Sequence, residues 1–395
     1  MNRMHHCAAA IVAAATLSGC AAATTAGSAA RGEGPEREYA AYVVSESADQ
    51  VARVVYGPEG ARVERERSVR TRPHEVDGPH GVALSPDGRY YYVTIGHGTP
   101  FGSLWKLSTA NDELLGRVTL GLFPATVDVT PDGQYGFISN FNLHGDHVPS
   151  SISKVHLPTM AEVARTETCV MPHGSRITPD GTRHYSVCMM DDLLVEIDVA
   201  TGEVARRFSV APGREGPAAA AMQQPAAGDT NAGATHAHAA HGGAPAPDAA
   251  RVCSPTWAQP SADGAFVYVA CNRQAEVLEI DTRSWTLARR IATGENPYNL
   301  DVTPDGRLLL VTLKSRTEPA TELIELQTGR SLARVPSSTT LTHGLAVTQD
   351  SRYAFVSSEG RGAEPGKVDV IDLRAMRVVG SVDVGQQAAG IAPAR

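Results

Sequence analysis

The sequence predicts an all-β fold, a seven-bladed β-propeller whose N- and C-terminal strands share one blade. Three observations predict it: a hairpin signal recurring about every 45 residues, four short strands per repeat, and two complementary half-repeats at the chain ends.

The hairpin signal is an apolar alternating run, a turn usually carrying Asp-Gly, and a second alternating run, as in GVALSPDGRYYYVT, TVDVTPDGQYGFIS and NLDVTPDGRLLLVT. The turn aspartates are Asp87, Asp132, Asp180, Asp263, Asp305 and Asp350, spaced 45, 48, 83, 42 and 45 residues apart. Asp-Gly between period-two runs is a strong hairpin signal, and a proline just before it suits a turn but not a central strand. A third run follows most hairpins (LVEIDVATG, VLEIDTRS, VDVIDLRA), and a fourth, more polar run closes the unit (GEVARRFSV, WTLARRIATG). Four antiparallel strands in 40 to 50 residues make one propeller blade. No helical periodicity separates the strands, which excludes repeated α/β units.

Near the start, EYAAYVVSESADQVARVVYG matches the second and third strands of a blade without the first. The terminal VGQQAAGIAPAR matches the lead-in and part of a first strand. Together they complete a seventh blade, and a closed ring leaves no edge strand open.

The runs YYVTIG, FISNFN and FVYVACN, each following an Asp-Gly turn, resemble the YVTN/YncE-like seven-bladed propeller family over roughly residues 39 to 395. That family is similar in fold to the propeller of nitrous-oxide reductase and to lactonase-like propellers. Its members differ in activity, so the resemblance implies an architecture and leaves function to the site.

The ends of the chain imply an address. Ala8 to Leu17 is almost wholly apolar, the length of a secretory core segment and too short for a mature membrane span. It ends in Leu17-Ser18-Gly19-Cys20, which looks like a bacterial lipobox and implies removal of residues 1–19 and lipidation of Cys20; an ordinary signal peptide cut nearby is the plainer reading. Ala21 after the cysteine resembles an outer-membrane or surface address, so we expect a lipid-anchored protein on the periplasmic or surface side of the outer membrane. Residues 21–38 hold no large apolar side chain, and the segment 20–38 reads as a flexible tether. The formal charge of −8 falls to −9 without Arg3, which argues against a nucleic-acid partner. No internal stretch approaches 18 apolar residues, which excludes a polytopic membrane protein; a monomer is expected.

The wide gap between Asp180 and Asp263 holds a blade plus about 38 extra residues, from Ala211 to Ala250, rich in Ala, Gly and Pro. Such a composition reads as a mobile loop. Its His236, His238 and His241 suit capture of Cu, Zn or Ni, or belong to a spacer in which histidine has no role. Cys169 and Cys188 are 19 residues apart and Cys253 and Cys271 are 18 apart, each pair flanking a hairpin turn. Two disulfides, each within a blade, is the simplest reading; free thiolates acting as soft metal ligands is the rival.

Function is sought where equivalent positions form a ring. Seven residues before each turn aspartate stand His80, Ala125, His173, Thr256, Tyr298 and His343, with Ala389 matching in the split blade. The three histidines are each followed by glycine and fall in the first, third and sixth repeats, an almost even triangle around seven blades. Three imidazoles on one point leave an open coordination position, the arrangement of a catalytic zinc or a copper site. His97, His144 and His147 lie on the same face as further candidate ligands. The structural alternative is that glycine permits close backbone approach while the histidine bonds a neighbouring blade's carbonyl. Tyr298 shares the ring and Arg273 could hold a carboxylate, so both are candidate substrate contacts. Glu46, Glu359, Asp191, Asp192, Lys314 and Arg316 are expected to form a mixed-charge rim suited to a small polar ligand.

The resulting expectation is an extracytoplasmic propeller binding copper or zinc through His80, His173 and His343. A metal-dependent enzyme acting on a small organic substrate in the same channel is the second reading. A metal-free protein-interaction scaffold is the third.

Overall fold

The computed structural model describes residues 35–72, 74, 76–97, 101–219 and 252–394. The signal segment 1–19, Cys20, most of the 20–38 tether and the histidines at 236, 238 and 241 lie outside the described residues. Every regular element among the described residues is a β-strand, and the strands form seven antiparallel sheets. No described helix is long and apolar enough to cross a membrane.

The innermost strands are Pro79–Leu84, Pro124–Val129, Pro172–Ile177, Pro255–Pro260, Pro297–Val302, Thr342–Val347 and Ala388–Pro393. Each packs beside the next and the last returns to the first, which closes the ring. The seventh blade is the split one. Ala388–Pro393 pairs with Tyr39–Ser45 (Ala41 opposite Pro393, Val43 opposite Ile391), followed outward by Gln50–Gly57 and Gly60–Ser68. A latch supports this closure on the opposite side of the seam. Asp350, in the last hairpin turn, accepts hydrogen bonds from the Tyr39 hydroxyl and the Arg37 guanidinium, both at 2.6 Å.

The hairpin turns repeat one hydrogen-bond plan. A Ser or Thr two residues before each turn aspartate donates to its Oδ1, at 2.6 Å from Ser85 to Asp87 and 2.7 Å from Thr348 to Asp350. That oxygen also accepts the amide two residues on, from Arg89 and Arg352 respectively. The next residue needs φ > 0, supplied by Gly88, Gly133, Gly181, Gly264 and Gly306, and by Ser351 (φ 56°) in the one Asp-Ser turn.

Burial explains the strand patterns. Middle strands are nearly continuous apolar runs, because both faces pack against neighbouring blades; Tyr42, Tyr91, Phe137, Phe208 and Phe355 are among the largest fully buried side chains. Outermost strands alternate instead, as in Ala161–Val170.

Two details differ from expectation. Gly216–Ala218 forms a fifth strand on the third repeat, pairing with Arg207–Ser209, and Glu215 forms an ion pair with Arg290 of the fourth; residues 216–218 therefore belong to the blade, and Glu215 is anchored beside it. Both disulfides are formed, which removes the free-thiolate reading, but only Cys253–Cys271 stays within one blade. Cys169 lies on Ala161–Val170, the outermost strand of the second repeat, so its bond to Cys188 joins two blades. The physical reason is length: that outer strand runs ten residues and carries Cys169 past its own hairpin to the neighbour's strand end. Disulfides are the chemistry of an oxidising compartment, which fits a location outside the cytoplasm.

Candidate functional site

One backbone feature positions the ring. The residue immediately before each innermost strand has φ > 0: Gly78, Phe123, Met171, Ser254, Asn296, Leu341 and Gln387, all between 47° and 62°. Left-handed backbone is uncommon for non-glycine residues and persists only where the surroundings hold it. Here it turns the chain from lead-in to strand, so the ring residue is always the second of its strand.

Histidine and glycine then divide one task. Nδ1 of His80 lies 3.0 Å from the Ala125 carbonyl, and Nδ1 of His173 lies 2.9 Å from the Thr256 carbonyl, each in the next blade. A carbonyl only accepts, so Nδ1 carries the proton and Nε2 keeps its lone pair. The following glycine makes room: a Cβ at Gly81 or Gly174 would stand 2.5 or 2.3 Å from the same carbonyl oxygen. His343 faces the Ala389 carbonyl in the same way, at a geometry too loose for a full hydrogen bond. The structural role considered for these histidines is thus present for His80 and His173, and it leaves their Nε2 unprotonated.

The rings meet. His80 is 6.0 Å from His173 and 5.5 Å from His343 between ring centres, and Tyr298 touches His173 (5.7 Å) and His343 (4.8 Å). The Tyr298 hydroxyl is 3.4 Å from His173 Nε2. Three residues read as rim charges stand in this cluster. Lys314 is 2.7 Å from Glu359 and sits 4.3 Å above the Tyr298 ring. Glu359 is 3.8 Å from His343 Nε2, and Glu46 lies between His80 Nε2 (3.9 Å) and His97 Nε2 (3.4 Å). Phe123 and Phe141, which sequence reasoning missed, wall the cluster: Phe123 contacts His80, His97 and His144, and Phe141 contacts His173. Nothing in a lone Phe marks it as a site residue.

Burial keeps two of the imidazoles, those of His173 and His343, neutral. Burial, reinforced by His80 and Lys314 and only partly offset by the Thr256 carbonyl, pushes His173 down to about 3. Burial and then Lys314 hold His343 well below its ordinary value. Burial opposes the charge of Lys314, but Glu359, Tyr298 and Glu46 outweigh it and raise its pKa. Lys314 is deep in the fold yet keeps 24% of its side chain exposed, as a channel wall does. Burial also opposes ionisation of Glu46, which His97, His80 and Lys314 overcome.

A neutral imidazole with a free Nε2 is a transition-metal ligand, and a ligating histidine usually donates its other N–H to a carbonyl or carboxylate; here the Nε2 of His173 accepts from the Tyr298 hydroxyl. Three imidazoles on one tetrahedral ion put ring centres roughly 5 Å apart. The observed pairs at 5.5 and 6.0 Å are slightly wider. Among the described residues no three His, Cys, Asp or Glu side chains stand in ready ligating geometry. Closing the triangle requires the rings to move inward and Tyr298, which contacts both His173 and His343, to be released from His173.

The remaining candidates divide. His97 and His144 stack on each other at 5.3 Å above the ring, while His147 is exposed. Arg273 and Arg316 are exposed, and Arg273 is tied through its backbone amide to the Cys253 carbonyl. Asp191 accepts the Val170 amide, and Asp192 accepts the amides of Cys253 and Ser254, so both brace loops.

No protein-family profile matches the chain. Antigen Lp49 of Leptospira interrogans serogroup Icterohaemorrhagiae serovar copenhageni is 31% identical over 91 residues, which is 20% of each chain; the match thus spans a fifth of that relative's length. Among solved structures, hydrazine synthase of Kuenenia stuttgartiensis superposes with a TM-score of 0.60 at 18% identity, over 82% of this chain and 92% of that one. A functionally unknown protein from Desulfotomaculum acetoxidans gives 0.66 at 14% identity, covering 90% and 99%. A structure described as a putative 6-phosphogluconolactonase from Bacteroides fragilis gives 0.65 at 13%, covering 91% and 98%. At these identities the likeness establishes the propeller fold and nothing about activity.

Proposed function

We propose that the protein is a lipid-anchored, extracytoplasmic propeller of the YVTN/YncE-like type that binds a copper or zinc ion through His80, His173 and His343. The observation that carries this reading is the tethering of His80 and His173 through Nδ1 to the carbonyls of Ala125 and Thr256. It sets the tautomer with Nε2 unprotonated and fixes ring direction before any ion arrives. Depressed basicity of His173 and His343 supports it, because a proton competes poorly for either nitrogen. With both cysteine pairs oxidised, imidazole is the available soft donor, which suits copper and zinc over calcium or magnesium. His97 and His144 above the ring, with His147 and the histidines at 236, 238 and 241, serve as a capture path. The sequence before Cys20 supports the anchor to an outer membrane.

The test is elemental analysis of the purified mature protein with its three single His→Ala variants. One equivalent of metal in wild type, and substoichiometric metal in each variant, is expected. Equal metal content in all four proteins refutes the site. A second reading, a metal-dependent enzyme acting on a small organic substrate, is favoured by the Lys314–Glu359 pair and Tyr298 beside the ring.

A further inference from the structure

We propose that the metal-free channel mouth binds a small primary alkylammonium ion, seated between Glu46 and His80; this goes beyond the metal reading and does not depend on it.

Hydrogen-bond donors and acceptors are out of balance at this place. His80 donates through Nδ1 to the Ala125 carbonyl, so its Nε2 is an acceptor. That nitrogen faces Oε2 of Glu46 at 3.9 Å, and a carboxylate oxygen also only accepts. Two lone pairs thus confront each other between side chains that are nine-tenths buried, His80 being 8% and Glu46 9% exposed. Among the described residues neither of the two atoms receives a hydrogen bond, and the other carboxylate oxygen lies 3.4 Å from His97 Nε2. A buried carboxylate without a cation is costly. One nitrogen placed about 2.9 Å from both acceptors removes the conflict. It sees them under an angle of roughly 85°, which two N–H bonds of a tetrahedral nitrogen span with each hydrogen bond near linear.

The neighbouring blade shows the same pairing already filled. His343 Nε2 faces Glu359 Oε1 at 3.8 Å, and the Lys314 ammonium lies 2.7 Å from that oxygen and 4.3 Å over the Tyr298 ring. Lys314, Glu359 and Glu46 each directly follow the second strand of their blade, Leu308–Leu313, Tyr353–Ser358 and Tyr39–Ser45, in three successive blades. One lysine thus stands beside two carboxylates and is committed to Glu359, which leaves Glu46 without an ammonium partner. The three groups sum to a charge of about −1, which one monocation neutralises. Where Tyr298 lies under Lys314, the Glu46 side has Phe123, 5.5 Å from the His80 ring and 5.2 Å from the His97 ring. Its face suits a cation with a short alkyl chain. A quaternary ammonium would bring the charge without N–H donors, and a carboxylate ligand would add a third acceptor.

Calorimetric titration of butylammonium into the full protein, stripped of metal with a chelator, tests this; tetramethylammonium and butyrate at the same ionic strength are the comparison probes. Butylammonium should bind at one site, and the other two at least tenfold more weakly. Glu46→Gln should weaken butylammonium binding at least tenfold. Lys314→Met removes a nearby positive charge and should tighten it severalfold. Melting temperatures report whether both variants are folded. Absence of butylammonium binding, equal binding of tetramethylammonium, or unchanged affinity in folded Glu46→Gln overturns the inference. Should Glu46→Gln not fold, weaker binding in folded Lys314→Met overturns it instead. A protein that holds no zinc refutes the three-histidine site and leaves this one standing.

Discussion

The hydroxyl of Tyr298, in the fifth repeat, stands 3.4 Å from Nε2 of His173, in the third. Because His173 donates through Nδ1 to the Thr256 carbonyl, its Nε2 is an acceptor and the tyrosine is the donor. The tyrosine therefore occupies the lone pair that the proposed metal ion would need.

Removing that competitor should help the ion. Tyr298→Phe is expected to raise zinc affinity about fivefold to tenfold, the equivalent of roughly one neutral hydrogen bond. Competition with a chromophoric chelator measures it; unchanged or weaker affinity contradicts the competition.

His173→Ala should do two things at once. It removes one of the three proposed ligands, which should lower metal affinity roughly a hundredfold, and it leaves the Thr256 carbonyl without its partner. The second effect should destabilise the metal-free protein by about 1–3 kcal/mol. Metal content and denaturant unfolding, measured together, separate ligand loss from damage to the fold: full metal content in a destabilised variant would assign the residue to structure alone.

Closure depends on the last strand. Truncation after Val384 deletes Ala388–Pro393 and leaves Tyr39–Ser45 as an open edge facing the channel. The melting temperature should fall steeply or cooperative unfolding should vanish. Asp350→Ala, which severs the contacts to Tyr39 and Arg37 and also the turn bonds from Thr348 and the Arg352 amide, should cost about 1–2 kcal/mol at this partly exposed site. A truncated protein that melts like the full chain would rule out the shared blade.

Acid should weaken the fold from about pH 6.5 downward, because of buried histidines. His184 is fully buried against Phe137, both ring nitrogens lack a protein partner, and burial followed by Arg176 pushes it down to about 3. The unfolded chain takes up that proton near 6.5, so stability is present above 6.5 and is lost as pH falls toward 3. His173 and His343 act in the same direction. Asp301 opposes them: burial, only partly countered by Arg176 and two backbone amides, raises it to about 6, and its penalty is relieved on acidification. His184→Leu should therefore flatten the slope, narrowing the loss between pH 7 and 5 by about 2 kcal/mol. Urea midpoints at the two pH values measure it; an unchanged slope would show that His184 does not titrate as described.

Deleting residues 221–250 should leave the melting temperature within a degree or two, since loop closure depends weakly on length. Extending the deletion back to Gly213 should cost stability, because it removes the strand Gly216–Ala218 and the Glu215 partner of Arg290. Equal effects of the two deletions would deny that strand any role.

Much of this was legible from local chemistry. Asp-Gly turns and alternating runs report hairpins directly, and the complementary ends reported the shared blade. The ring histidines were found because one offset from the turn recurs in every repeat. Other features depend on distance in space. Lys314 and Glu359 sit at strand ends, and only ring closure decides whether such a side chain turns outward or into the cluster. Cys169 was assigned to the wrong blade because a polar outer strand gives no signal of where it stops. The left-handed residues Phe123, Met171 and Leu341 carry no glycine to betray them.

Those left-handed residues make the channel mouth a register of seven equivalent places. Each place is reached by the same backbone turn and filled by one side chain: three histidines, one tyrosine, one threonine and two alanines. Exchanging a donor for a methyl group needs a single substitution and, beyond the hydrogen bond to the neighbouring blade's carbonyl, leaves the apolar faces between blades untouched. The chemistry of the mouth is thus free to drift far faster than the architecture that presents it, and two propellers with superimposable strands have no reason to share a ligand.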